Sequence, residues 1–162
     1  MPRPPTTTAE AIGQRRPFRH LRHEAAVSLL IATEAVHRRM VDFMAGPGKD
    51  QVTIQQYNVL RILRGAGPEG LPTLTIIERM VEKTPGITLM IDRLVAKGLV
   101  ERTRCTEDRR QVIVRIAQPG LDLLASLDAP VDALNQQMMN CLDDDELRQL
   151  IALLTRLRNH NS

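Results

Sequence analysis

The side chains best placed to do chemistry lie within Thr106-Glu107-Asp108-Arg109-Arg110. An arginine carries a flat, permanently charged fork of donors that matches the oxygens of phosphate and carboxylate. Two in succession, behind an aspartate that can orient a guanidinium or accept from nearby amides, suit the binding of a polyanion rather than the making of bonds. The chain has no nucleophile elbow, phosphate-binding loop, HExxH pair or paired acids in an apolar setting, so an enzyme is not expected. His20, His23 and Glu24 stand three and four apart and offer metal-ligand atoms on one helical face. No later cluster of histidine or cysteine completes a site, so neither a metal nor a cofactor is expected.

The arginines need a rigid mount, and their flanks supply one. Residues 99–105 and 111–117 are two short runs, and in the second Val112, Val114 and Ile116 alternate with Ile113 and Arg115. A period of two predicts paired strands with the arginine cluster on the hairpin tip. Upstream, Thr53-Ile54-Gln55-Gln56 fits a capping box, opening a helix over residues 54–64 that ends at Gly65. A turn at Gly67-Pro68-Glu69-Gly70 leads to a short helix over 73–81. Thr84-Pro85 supplies an N-cap and a first-turn proline for a fourth helix, which stops at Lys97-Gly98.

Two helical regions bracket this unit. From 20 to 44 apolar residues recur at Leu21, Ala25, Leu29, Ala32, Val36, Met40 and Phe43, and Val27, Leu30, Ile31 and Val41 widen the stripe. That helix is expected to be buried on more than one side. Pro119-Gly120 opens a long helical stretch with Leu121, Leu124, Leu127, Val131, Leu134 and Met138 on its apolar side, and Pro130 is expected to kink it. Asp143 and Glu146 cap a last helix with an apolar seam of Leu147, Leu150, Ile151, Leu154 and Leu157.

Composition narrows the partners. The 162 residues suffice for one domain with a real core. An aromatic share of 2% leaves Leu, Ile, Val and Met to fill it and argues against base stacking as a mode of recognition. Residues 1–54 carry 8 basic and 5 acidic groups, residues 55–117 carry 11 and 7, and residues 118–162 carry 3 and 7. The basic excess therefore lies in the first two thirds. Residues 1–17, rich in Pro, Thr and Arg, read as an arm that need not fold by itself. Arg3, Arg15 and Arg16 could touch a polyanion from it, but a solvated tail is the preferred reading. Cys105 and Cys141 form no disulfide framework and indicate a reducing compartment. The N-terminus lacks the apolar stretch of a signal peptide, and no run approaches the roughly 20 apolar residues of a membrane span. A cytoplasmic protein with no membrane association is expected.

Three helices followed by a two-stranded hairpin describe a winged helix-turn-helix, a mainly α (α+β) fold whose fourth helix enters the DNA major groove while the hairpin reaches backbone or minor groove. The run Asp92-Arg93-Leu94-Val95-Ala96-Lys97-Gly98-Leu99-Val100-Glu101-Arg102, followed by Glu107-Asp108-Arg109-Arg110 and Gly120, resembles the multiple antibiotic resistance regulator (MarR) family of bacterial transcription factors over residues 53–124. The resemblance implies a homodimer with intertwined terminal helices, one winged helix per subunit facing a pseudo-palindromic operator in double-stranded DNA, and release by a small-molecule effector. It divides the chain into an arm (1–19), a dimerisation helix and linker (20–52), the DNA-binding domain (53–118) and C-terminal dimerisation helices (119–162).

Carried over by position, Thr84, Gly86, Thr88, Leu89 and Arg93 belong to the recognition helix. Asp108 and Arg110 match the wing's Asp-any-Arg, in which the arginine enters the minor groove. Arg109 and Arg104 stand beside them, with Arg102 and Arg104 ranked lower as exposed edge residues. Leu89 replaces an arginine common in relatives with a similar Thr-Pro-Gly-Ile-Thr opening. Base reading then falls to Thr84, Thr88 and apolar contact with thymine methyls. Ala117-Gln118-Pro119-Gly120 also departs from the usual Thr-any-Lys-Gly. Leu21, Leu29, Leu147, Ile151, Leu154 and Leu157 are the dimerisation candidates, and His37 and Arg38 the candidate polar lining of an effector pocket. The alternative is a winged-helix dimer that binds a protein partner and has no specific affinity for DNA.

Overall fold

The computed structural model describes residues 7–46, 52–81, 86–104 and 111–162. The chain divides into two compact units, Met1–Gln55 and Gln56–Ser162.

The first unit holds α1 (Thr8–Ala11) and α2 (Leu21–Met44). A complete capping box starts α1: the Thr7 hydroxyl accepts from the Glu10 amide, and the Glu10 carboxylate accepts from the Thr7 amide. The Thr8 and Ser28 hydroxyls share a hydrogen bond of 2.6 Å, and α1 packs on α2. The stretch read as an unfolded arm thus contains a tethered helical turn, because the box satisfies local amides and the hydroxyl pair fixes its position. Within α2 only Met44 is buried, whereas Leu21, Leu30 and Val41 are exposed. The broad apolar stripe is therefore not covered within a single chain, contrary to the expectation of burial on several sides.

The second unit contains α3 (Ile54–Ala66), β1 (Leu71–Pro72), α4 (Thr73–Arg79), α5 (Ile87–Ala96), β2 (Val100–Arg104), β3 (Val112–Ile116), α6 (Gln118–Met139) and α7 (Asp144–His160). Its core is aliphatic, as the composition requires. Val59, Leu60 and Leu63 from α3, Ile76 from α4, Ile91 and Leu94 from α5, Val114 from β3 and Leu124 from α6 have no accessible surface. Each such side chain contributes about 1.5–3 kcal/mol by leaving water.

The sheet is antiparallel, with strand order β1-β3-β2. Val100 faces Ile116, Arg102 faces Val114 and Arg104 faces Val112, while Leu71 pairs with Val114 on the other side. The two-residue β1 was not expected, since so short a strand carries no alternation. Gly70 leads into it with φ 70°, and a Cβ there would collide with the Val114 carbonyl oxygen. Two boundaries also differ from expectation, and the first is the end of α4, at Arg79 instead of residue 81. Helix α3 runs through Gly65 to Ala66. Helix α5 spans Ile87–Ala96 with Gly86 as its N-cap, and Thr84-Pro85 lie outside the described residues. Pro130, where a kink was expected, lies inside α6, which runs through it as one element.

Helix α7 has the expected capping box, with Asp143 accepting from the Asp145 and Glu146 amides and Glu146 accepting from the Asp143 amide. None of its residues is buried. Its Leu150, Ile151, Leu153, Leu154 and Leu157 are exposed, Ile151 to 63%. A helix of this length gains most of its stability from an apolar face packed on something else, and this face lies open on the single chain.

Candidate nucleic-acid interface

Ile87, Ile91 and Leu94 recur along α5 at helical spacing and are buried. That fixes the rotation of the helix and turns Thr88, Leu89, Asp92 and Arg93 outward. Gly86 enters the helix at φ 87°, in the left-handed region where a side chain would be strained. Leu89 is 55% exposed, an apolar side chain held in water beside the Thr88 hydroxyl. The pattern suits a surface that meets hydrogen-bonding edges and methyl groups together.

The wing strand is pinned to this helix by Arg102. Its Nη1 lies 2.6 Å from Asp92 Oδ1, and its Nη2 donates to the Thr88 carbonyl at 3.4 Å. One guanidinium thus spans the first two turns of α5 from β2. Arg102 is exposed on β2, and the tie it makes to α5 is a role that its place in the sequence did not reveal. The signal that could have found it was the strand period: Arg102 shares a face with the buried Val100, and α5 packs against β2. Arg115 holds the other side of the hairpin, donating from Nε to the Pro68 carbonyl at 3.1 Å and from Nη1 to the Thr103 hydroxyl.

A second arginine clamp joins α3 to α6. Arg64 makes two parallel hydrogen bonds to Asp128, 2.8 and 2.9 Å long. These bonds hold the Asp128 carboxyl below its usual range and raise the Arg64 guanidinium. Two turns back, Tyr57 is buried, and its phenol is pushed up by burial against the opposing charge of Arg61. The Arg61 guanidinium stands 5.8 Å from the centre of the Tyr57 ring. Position 64 gave no local sign of its partner, which lies 64 residues on.

An open cleft of about 430 Å³ lies where the start of α4, the start of α5 and the wing strands meet. Thr73, Leu74, Thr88, Arg102 and Val112 are among its walls. It is continuous with the face that carries Thr88.

The remaining sequence-derived residues fall as follows. Thr84, Cys105, Asp108, Arg109 and Arg110 lie outside the described residues. Gly86, Thr88, Leu89, Arg93 and Arg104 are all exposed, and among the described residues Arg93 and Arg104 form no ion pair. His37 is half-buried, and Arg38 pairs along α2 with Glu34 at 3.1 Å. Leu21 is exposed and Leu29 half-buried, and Leu147 is half-buried while Ile151, Leu154 and Leu157 are exposed. His23 packs edge-on against Phe18, with ring centres 5.1 Å apart. Among the described residues no group of His, Cys, Asp and Glu could hold a metal ion, and no helix is long and apolar enough to cross a membrane.

Known proteins share this architecture. The MarR family model matches residues 52–112. The PcaV transcriptional regulator of Streptomyces coelicolor, solved with its natural ligand, is 26% identical, with a TM-score of 0.68 over 89% of this chain and 95% of its own. A mutant MarR from E. coli, solved with operator DNA, shares the fold at 24% identity and a TM-score of 0.70, over 80% of this chain and 89% of its own. A MarR transcription factor from Planctomyces limnophilus is 37% identical, with a TM-score of 0.65, and the match covers 86% of this chain and 98% of that one. With the winged helix in place and this level of identity along nearly the whole of a relative, the chain belongs to the MarR family of transcription regulators.

Proposed function

We propose that the protein is a homodimeric, sequence-specific DNA-binding repressor that a small molecule releases. The observation that carries the reading is the outward face of α5. Thr88, Leu89 and Arg93 are exposed there, on a helix whose rotation is fixed by three buried aliphatic residues and by Arg102. Thr88 and Leu89 read base edges and thymine methyls, and Arg93 binds phosphate. In the wing, Asp108 orients Arg110 toward the minor groove, with Arg104 and Arg109 on the adjacent backbone. Thr84 and Gly86 set the approach of α5.

The exposed apolar faces of α2 and α7, with Leu21, Leu29, Leu147, Ile151, Leu154 and Leu157, support dimerisation. A two-fold pair must hold its recognition helices about 34 Å apart to reach successive major grooves. An effector lined by His37 and Arg38 releases DNA only by binding better to an arrangement in which that spacing is wrong. PcaV, bound to its natural ligand, supports a ligand response, and the operator complex of E. coli MarR supports the DNA partner.

Selection of bound fragments from the parent genome with the purified protein, followed by salt titration on the selected duplex, tests the reading. A preferred duplex is expected, with affinity falling by orders of magnitude between about 50 and 200 mM salt. Thr88→Ala is expected to change base preference more than total affinity. No preferred sequence together with weak salt dependence would replace the proposal with a protein-binding winged helix.

A further inference from the structure

Between Glu10 and Glu24 the sequence has no acidic residue, yet it carries Arg15, Arg16, Arg19 and Arg22 together with His20 and His23. All six are exposed. Among the described residues none of the four arginines forms an ion pair, whereas other exposed arginines do, Arg38 with Glu34 and Arg148 with Asp144 and Asp145.

The fold does not account for this charge. Cations around the first turn of α2 oppose its macrodipole, which favours acids there, and His20 as N-cap makes no side-chain cap bond. The segment is nonetheless held. Helix α1 has a complete capping box at its N-terminus, the Thr8 and Ser28 hydroxyls tie it to α2, the Gln14 side-chain amide donates to the Arg16 carbonyl, and Phe18 packs on His23. A cationic surface ordered before its partner arrives loses little further entropy on binding. Guanidinium groups, unlike ammonium groups, match phosphate oxygens with a planar fork.

We propose that residues 15–23 form a second anchor for the phosphate backbone of DNA, one that reads no bases and adds to the winged helix. The inference rests on the DNA-binding reading above. Each phosphate neutralised contributes about 0.9 to the slope of log affinity against log salt on B-DNA. Four arginines per subunit, eight in the dimer on one duplex, thus account for a slope of about 4 to 7, allowing for contacts that are not all made at once.

The test compares the full-length protein with the variant R15A/R16A/R19A/R22A on a selected operator duplex and on a scrambled duplex of equal length. The expected result is a salt slope lower by about 4 to 7 on both duplexes, with an operator-to-scrambled affinity ratio within about twofold of the original. The variant R15K/R16K/R19K/R22K should recover most of the slope, which a merely misfolded segment would not do. Amide hydrogen exchange across residues 15–23 should slow when either duplex is added. An unchanged slope in the alanine variant, with the operator still preferred, overturns the anchor and leaves the regulator reading intact. A collapsed affinity ratio overturns it in favour of base reading by the segment. Arginine-dependent binding to phosphatidylserine vesicles, with the DNA slope untouched, overturns it in favour of a membrane surface. If the original protein prefers no duplex at all, the regulator reading fails instead.

Discussion

Removing Arg102 separates two roles that a cation beside DNA can play. Its ion pair with Asp92 spans 2.6 Å, but the two side chains remain 31% and 49% exposed, so water screens the attraction. A coupling of about 0.5–1 kcal/mol is therefore expected instead of the several kcal/mol of a buried pair. The bond to the Thr88 carbonyl, at 3.4 Å, adds little. A double-mutant cycle of Arg102→Ala and Asp92→Ala, measured by urea unfolding, should return that coupling at about 0.1 M salt and a smaller one at about 1 M. DNA binding then discriminates. If the two groups acted only as charges near phosphate, Arg102→Ala would weaken binding to every duplex and Asp92→Ala would strengthen it. If they hold β2 against α5, each variant lowers the operator-to-scrambled ratio by about 3- to 10-fold, and the double variant is no worse than the poorer single one. Zero coupling in stability, or opposite shifts in affinity with the ratio untouched, would refute the positioning role.

Three other outcomes are expected. Asp128→Asn removes the carboxylate held low by Arg64. A group with a depressed folded pKa stabilises above its unfolded value and loses that contribution as pH falls through the folded one, so the original protein's advantage over the variant should be constant above about pH 5 and shrink steadily in unfolding experiments at lower pH. Leu154→Asp places a charge in the open seam of α7 and should shift sedimentation from dimer to monomer, and persistent dimers would move the interface elsewhere. Gly70→Ala forces a side chain into positive φ and against the Val114 carbonyl. It should cost about 2 kcal/mol or more by denaturant unfolding, and a loss within about 0.5 kcal/mol would contradict that close approach.

Much of the fold could be read from the sequence because its signals are local. The alternation of Val112, Val114 and Ile116 marks β3, and Lys97-Gly98 marks the end of α5. The Asp143 box marks the start of α7. What escaped was set by tertiary geometry. The strand β1 exists only because β3 offers it a ladder, and its two residues have no periodicity of their own. The left-handed Gly86 at the head of α5 had no local sign beyond its being a glycine. Of the candidate site, Thr88, Leu89 and Arg93 were legible only through the resemblance to the MarR recognition helix, and they stand exposed on α5. The clamps of Arg102 and Arg64 were not, since each joins residues brought together only by packing.

The order β1-β3-β2 leaves β2 with one side of its backbone unpaired by any described strand. Such a margin is a template on which another polypeptide can add, the first step of aggregation. Here Glu101, Arg102 and Arg104 project from four exposed positions in a row, and charged side chains at a margin discourage that addition. Neutralising them with aliphatic residues to weaken contact with a polyanion would therefore also remove the guard that keeps the strand solitary, and insoluble protein would accompany lost affinity.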